Sequence, residues 1–209
     1  MGSDPSLAPF LRPRANRTFE ALARAADGSS FWTANEDALI PDGPAASDTA
    51  GAVVRLLRVG PDLRPLAQFA YPLDGWSRRI RNPSLVAGRE INGVSAMAAL
   101  PDGRLLVLER AFGGDIGGNA SLRSRLYLVD VSGATDVGGE DHRGGLAGAR
   151  YRPARKALLW ETGWGLTNSN FEGMTLGPTL ADGSRVVILI ADNNGGSAQA
   201  LFTLRLKAR

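Results

Sequence analysis

The sequence predicts an all-β protein of the β-propeller type. Three observations carry that expectation: glycine and proline are frequent while aromatics are sparse, no long helical periodicity occurs, and one strand–turn–strand pattern recurs three times. Of 209 residues, 26 are glycine and 12 proline, and aromatics make up 7%. Such a composition suits many short strands joined by tight turns. The length is ample for one core-forming domain and short for two.

The first copy of the pattern reads Phe19-Glu20-Ala21-Leu22-Ala23, then Asp27-Gly28, then Ser30 to Glu36. The second reads Val94-Ser95-Ala96-Met97-Ala98-Ala99-Leu100, then Asp102-Gly103, then Arg104 to Arg110. The third reads Phe171-Glu172-Gly173-Met174-Thr175-Leu176, then Asp182-Gly183, then Val186 to Asp192. Each runs an apolar strand into an Asp-Gly turn, whose glycine tolerates the positive φ of a tight hairpin, and out along a second apolar strand that closes on an acid. Gly28 and Gly103 are 75 residues apart, and Gly103 and Gly183 are 80 apart. That period suits a four-stranded blade, because further strands are legible between copies: 52–59 and 66–71, then 124–131 and 157–160, then 200–206. About three four-stranded blades of a larger propeller result.

Three blades do not close a ring, so the sequence predicts a partial propeller domain over residues 14–209. Self-association is the expected consequence of its open faces and edges. An N-terminal segment, residues 1–13, holds Leu7 to Leu11 as a candidate closing strand for the third blade. Residues 41–51, 72–93, 111–123 and 132–154 read as loops, with glycine pairs at 113–114, 117–118, 138–139 and 144–145.

A net charge of +3 and scattered arginines argue against a nucleic-acid partner; the short Arg78-Arg79-Ile80-Arg81 run reads as a solvated loop. The chain has no cysteine, which excludes disulfides, thiolate zinc sites and cysteine nucleophiles. No segment approaches a membrane span, and the given N-terminus carries no signal-peptide pattern.

Residues at matching positions of a propeller's inner strands converge on its central channel. Glu36, Glu109 and Asp192 share one such position, and Glu20 and Glu172 another, where the second copy has Ser95 or Ala96. Five carboxylates at one channel mouth need arginine partners, shared protons or a hard cation. Arg17, Arg110 and the amides of Asn16, Asn35, Asn170, Asn193 and Asn194 sit beside these acids. Carboxylate plus amide oxygen is a calcium-type donor set, although no compact calcium loop occurs. Inter-blade ion pairing explains the same acids equally well. A serine triad would need the sole histidine, His142, whose glycine-rich surroundings read as surface, and Ser95 lacks a nucleophile elbow. Trp32, Trp76, Trp160 and Trp164 read as core or rim packing rather than a sugar platform. Asn16-Arg17-Thr18 and Asn119-Ala120-Ser121 match glycosylation sequons.

At Asn16 to Ala23, at Asp102 to Arg110, and at Asn170-Phe171-Glu172-Gly173-Met174 with Gly177-Pro178 and Asp192-Asn193-Asn194, the chain resembles the phytase-like family characterised by esterase-like activity of phytase. The resemblance spans residues 14 to 206, and relative to that family the chain lacks the portion usually preceding the Asn-Arg-x-Phe-Glu segment. It implies a six-bladed propeller, hydrolysis of phosphate or carboxylic esters, and a periplasmic or secreted location. Joined to the residues, it yields an expected calcium-assisted hydrolase acting on a small-molecule ester or phosphoester. Glu20, Glu36, Glu109, Glu172 and Asp192 would hold the cation, with Glu20, Glu109, Glu172 and Arg110 catalytic. Arg17, Asn16, Asn170 and Asn193 would bind substrate. A non-catalytic propeller that binds a ligand, and a fragment without independent activity, stand as alternatives.

Overall fold

A computed structural model describes residues 4–75, 91–114, 119–162, 169–193 and 199–207. Trp76, the 78–81 basic run, Gly117, Gly118, Trp164 and Asn194 lie outside the described residues. Among the described residues, the strands form three antiparallel sheets. The first holds β1 (Phe19–Arg24), β2 (Phe31–Asn35), β3 (Ala52–Val59) and β4 (Pro65–Leu73). The second holds β5 (Ile91–Ala99), β6 (Leu105–Gly114), β7 (Ala120–Asp130) and β8 (Arg155–Glu161). The third holds β9 (Asn170–Thr179), β10 (Arg185–Asp192) and β11 (Leu201–Leu206). The all-β class is therefore as expected, but the third sheet has three strands rather than four, and no sheet closes on itself.

The Asp-Gly turns explain the three leading hairpins. Gly28, Gly103 and Gly183 sit at φ of 73°, 85° and 80°, where a side chain would be strained. Asp27, Asp102 and Asp182 each accept a bond from the backbone N–H two residues on, at 2.9, 3.1 and 3.1 Å, the local bond for which aspartate is favoured in turns. Each hairpin also carries a one-residue bulge: Glu20, Ser95 and Glu172 are each left without a cross-strand partner. A bulge re-aims the side chain it frees, and two of these three are acids.

The sheets pack face to face. Ala21, Ala23, Trp32, Ala34, Val54 and Leu56 of the first meet Val94, Met97, Leu105, Val107 and Val129 of the second. The other face of the second, through Ala96, Ala98, Leu106 and Leu108, meets Phe171, Val187, Leu189 and Ala191 of the third. Strict inside–outside alternation gives the second sheet two apolar faces, and each fully buried aliphatic chain contributes about 1.5–3 kcal/mol. The inner strands β1, β5 and β9 run side by side, with β5 in the middle.

Two expectations fail here. Leu7 to Leu11 is no strand: Pro5–Leu11 is a 3-10 helix capped by Asp4, and Gln68 of the first sheet donates to the Ser6 carbonyl at 2.7 Å. Prolines at its first turn and at Pro9 remove ladder donors, which disfavours a strand. The 111–123 loop is largely strand, since Gly113 and Gly114 pair with Ser121 and Ala120. The 132–154 segment is a loop, as expected. It lines the outer edge of β4, where the Val137 and Ala154 N–H groups donate to Gln68 and Ala70, and so covers an otherwise open edge.

That covering segment is pinned by a buried arginine. Arg55 of β3, 1% exposed, donates to both Asp42 oxygens at 2.8 Å, to Gln68 Oε1 at 2.9 Å, and to the carbonyls of Val137 and His142 at 3.0 and 2.8 Å. His142 is consequently buried rather than on the surface, its ring edge-on to Tyr151. Ser95 lies in the β5 bulge, its hydroxyl directed to the Leu108 carbonyl, whereas His142 ends a short 3-10 helix, so different elements and different partners hold the two.

Candidate functional site

β2 ends at Asn35, and the next residue, Glu36, is 2% exposed beside the bulge of β1. A buried carboxylate demands compensation. Arg17 Nη1 donates to Oε2 at 2.8 Å and Arg110 Nη2 to Oε1 at 2.7 Å, so guanidinium groups from the β1 lead-in and from β6 clamp both oxygens. Arg110 extends the cluster to the third sheet: Nη1 donates to Asn170 Oδ1 at 2.7 Å and lies 3.4 Å from Glu172 Oε1. Asn170 in turn donates through Nδ2 to Glu172 at 2.7 Å. Close approach of β5 is what lets this happen, because Val94 N–H donates to the Glu36 carbonyl at 2.9 Å. A Cβ on Gly93 would stand 2.5 Å from Glu36 Cγ, so only glycine fits there.

Glu20, the bulged residue of β1, completes the group. Desolvation first, then the nearby Glu36 and Glu172 charges, push its pKa above the ordinary glutamate value against the opposing pull of Arg110 and Arg17. Three carboxylates thus face two guanidinium groups, one on the buried floor and two, Glu20 and Glu172, at the accessible rim.

Glu109 is not part of this group. By ladder register Phe19 pairs with Asn35 and Val94 with Glu109, so Glu109 corresponds to Asn35, and Glu36 corresponds to Arg110. A one-residue offset in a strand turns a side chain to the opposite face. Glu109 therefore enters the interface with the first sheet, fully buried, and accepts from Tyr71 Oη at 2.6 Å, Lys156 Nζ at 2.6 Å and Asn92 Nδ2 at 2.7 Å. Lys156 also bonds Asp74 at 2.7 Å and stands 4.1 Å from the Tyr127 ring centroid. Asp74 accepts from Tyr127 Oη at 2.5 Å and Arg125 Nη1 at 2.9 Å. Burial raises the Asp74 pKa, but the Lys156 and Tyr127 bonds outweigh it and leave it below the ordinary value. Burial and the Glu109 charge push the Tyr71 and Tyr127 hydroxyls upward.

Of the remaining expected residues, Asn16 occupies an exposed turn at φ 54° between Arg14 and Arg17, which suits asparagine. Asp192 ends β10 opposite Asn170, exposed, and forms no ion pair among the described residues; Asn193 follows it. The expected five-acid mouth is therefore split into the Glu36 group with Glu20 and Glu172, the Glu109 group, and Asp192. Among the described residues no three acidic or histidine side chains are placed to hold a metal ion, and both Glu36 oxygens are already bonded by arginine. Among the described residues, this arginine-bonded donor set does not fit calcium.

Sequence reasoning missed Asp74, Lys156, Tyr71, Tyr127, Arg125 and Asn92, because they reach Glu109 from separate strands and loops that only packing brings together. One signal was present: Lys156 is one of two lysines in a chain rich in arginine, and it directly precedes the apolar run Ala157 to Trp160.

The family model described as phytase-like, esterase-like activity of phytase, matches residues 3–195, and the chain belongs to that family. No curated protein and no solved structure matches it.

Proposed function

Starting from that membership, we propose that the chain is a hydrolase of carboxylic or phosphoric esters working at the Glu36 group. The observation that supports this most is the charge imbalance: three carboxylates share two guanidinium groups, and the surplus falls on Glu20, whose proton is held more tightly than usual. Two rim acids in unlike environments divide acid from base work. Glu20 carries a proton for the departing oxygen; Glu172, oriented by Asn170 and Arg110, takes one from the attacking water. Water oxygen bonds to the acyl carbon or phosphorus as the ester oxygen leaves, so one proton enters the group and one departs. Arg17 and Arg110 steady the anionic charge that develops, and no step draws on a metal.

Turnover of p-nitrophenyl acetate and p-nitrophenyl phosphate by the wild type and by Glu172→Gln tests this. The expected result is hydrolysis of at least one substrate and a loss of about 100-fold in the variant, the low end for a general base. Equal rates, or none in either protein, would remove the reading. The competing reading, binding without turnover, draws on the saturation of Glu36 by arginine; anion binding in a titration with no product formed would favour it.

A further inference from the structure

The three Asp-Gly turns carry the same aspartate, but what that aspartate meets differs. In the third sheet, Leu180 N–H donates to the Ser184 carbonyl around Ala181-Asp182-Gly183. Ser184 donates to Asp182 through its backbone N–H at 3.1 Å and its hydroxyl at 2.5 Å, and the same hydroxyl accepts from Arg205 Nε at 2.8 Å. Arg205 also reaches Asp182 as an ion pair, so one serine draws the two charges together. In the second sheet Asp102 is paired too, with Arg104 at 2.6 Å.

The first sheet holds the parts of the third and leaves them apart. Arg58 stands opposite Trp32 on β3 as Arg205 stands opposite Val186 on β11. Ala25 N–H, however, reaches the Ser30 carbonyl around one residue more, Ser29. Two serines now divide the work of Ser184. Ser29 donates to Asp27 Oδ1 at 2.9 and 2.7 Å, while the buried Ser30 hydroxyl accepts from Arg58 Nε at 2.9 Å. Among the described residues Asp27 and Arg58 form no ion pair, and the Arg58 Nη groups and Asp27 Oδ2 bond nothing. The Ser29 bonds chiefly, and the Arg58 charge to a smaller extent, hold the Asp27 pKa below the ordinary aspartate value. An ionised acid thus faces a cation that it does not touch.

Both charges line a cavity of 140 Å³ between the turns of the first and second sheets, at the opposite end of β2 from Glu36. Trp32, with the Arg58 guanidinium 5.6 Å from its ring centroid, forms one wall, and Ala99, Leu100 and Pro101 form another. An apolar cavity of about 150 Å³ takes benzene, a ligand of about six non-hydrogen atoms. We infer that this cavity binds a small zwitterion, a short-chain α-amino acid, with its carboxylate on Arg58, its ammonium on Asp27 and its side chain against Trp32 and Leu100. The ligand supplies the link that a direct ion pair supplies in the third sheet. The free edge of a guanidinium offers a carboxylate two parallel donors. A lone anion would also meet the Asp27 charge, and a lone cation the Arg58 charge, so a molecule carrying both is favoured over either half.

Isothermal titration calorimetry of the whole chain with L-alanine, acetate and ethylammonium tests the assignment. L-alanine should bind, and each half-ligand should bind more weakly by about 10-fold or more, as should L-alanine to Arg58→Gln and to Asp27→Asn, the loss of one charge-assisted hydrogen-bonded group. Deletion of Ser29 gives the first turn the length of the third, so Ser30 should take the place of Ser184, Arg58 should close on Asp27, and binding should vanish with circular dichroism unchanged. Should that deletion fail to fold, the two substitutions decide alone. No heat from L-alanine with the wild type, acetate or ethylammonium bound as tightly as L-alanine, full affinity in either substituted variant, or binding retained by a folded deletion variant would each overturn the proposal.

Discussion

Glu36, just past the end of β2, and Glu109, within β6, are both buried carboxylates, yet the protein treats them differently. Around Glu109, two acids meet two cations, Lys156 and Arg125, and two tyrosine hydroxyls complete the shell. The group is balanced in charge around a fully buried Glu109, and it joins the first sheet to the second. Around Glu36, two cations meet three acids, and two of those acids stand at the rim. Burial alone does not mark a reactive acid. Imbalance joined to access does, because only there must a proton or an incoming ligand settle the charge.

Removing a cation from the balanced group should have the largest effect. Lys156→Met leaves Glu109 buried with less compensation and should cost about 3–5 kcal/mol in denaturant unfolding, the usual penalty for breaking a buried pair. Arg55→Met, which strands Asp42, belongs to the same class. A cost below about 1 kcal/mol for Lys156→Met would mean that the group is not the structural clasp described, since that is the range of exposed ion pairs.

Gly93→Ala comes next. Its methyl group would meet Glu36 Cγ at 2.5 Å and the Glu36 carbonyl at 2.9 Å, so the backbone must give way. Overpacking of this kind costs about 1–3 kcal/mol, and ester turnover should fall with it because Glu36 is displaced. Thermal unfolding paired with a rate assay would show both; stability lost without any change in rate would separate Glu36 from the chemistry.

Rim substitutions should barely touch stability. Glu20→Gln tests the sign of the titration. The native Glu20 pKa lies above its unfolded value, so its stabilising share is present at low pH and lost as pH rises through the raised native pKa. The variant should therefore match the wild type below the ordinary glutamate range and melt slightly higher near neutrality, by roughly 1–2 °C for a surface-scale effect. A variant that melts lower at neutral pH would show that Glu20 is held by a favourable charge instead.

Much of this arrangement was legible in the residues. The Asp-Gly turns located three hairpins, and Glu20, Glu36, Glu172, Arg17 and Arg110 were picked out and do assemble. Glu109 was misplaced because it was matched to Glu36, whereas ladder register matches it to Asn35, and a single residue decides which face a side chain takes. The Arg55–Asp42 and Lys156–Glu109 pairings were not legible, since they join residues from separate sheets or loops whose meeting depends on packing rather than on local pattern. The covering role of residues 132–154 was hidden for the same reason: glycine-rich composition marks a bend but does not say what the segment will lie against.

The pH–rate profile of kcat/KM, for wild type and Glu20→Gln on the same p-nitrophenyl ester, tests the central claim most directly. If Glu20 donates the proton, the wild-type rate falls as pH rises through the raised Glu20 pKa, while the variant is slower by about 100-fold at low pH and shows no such fall. The same descending limb at the same rate in both proteins would contradict the assignment of the chemistry to the Glu36 group.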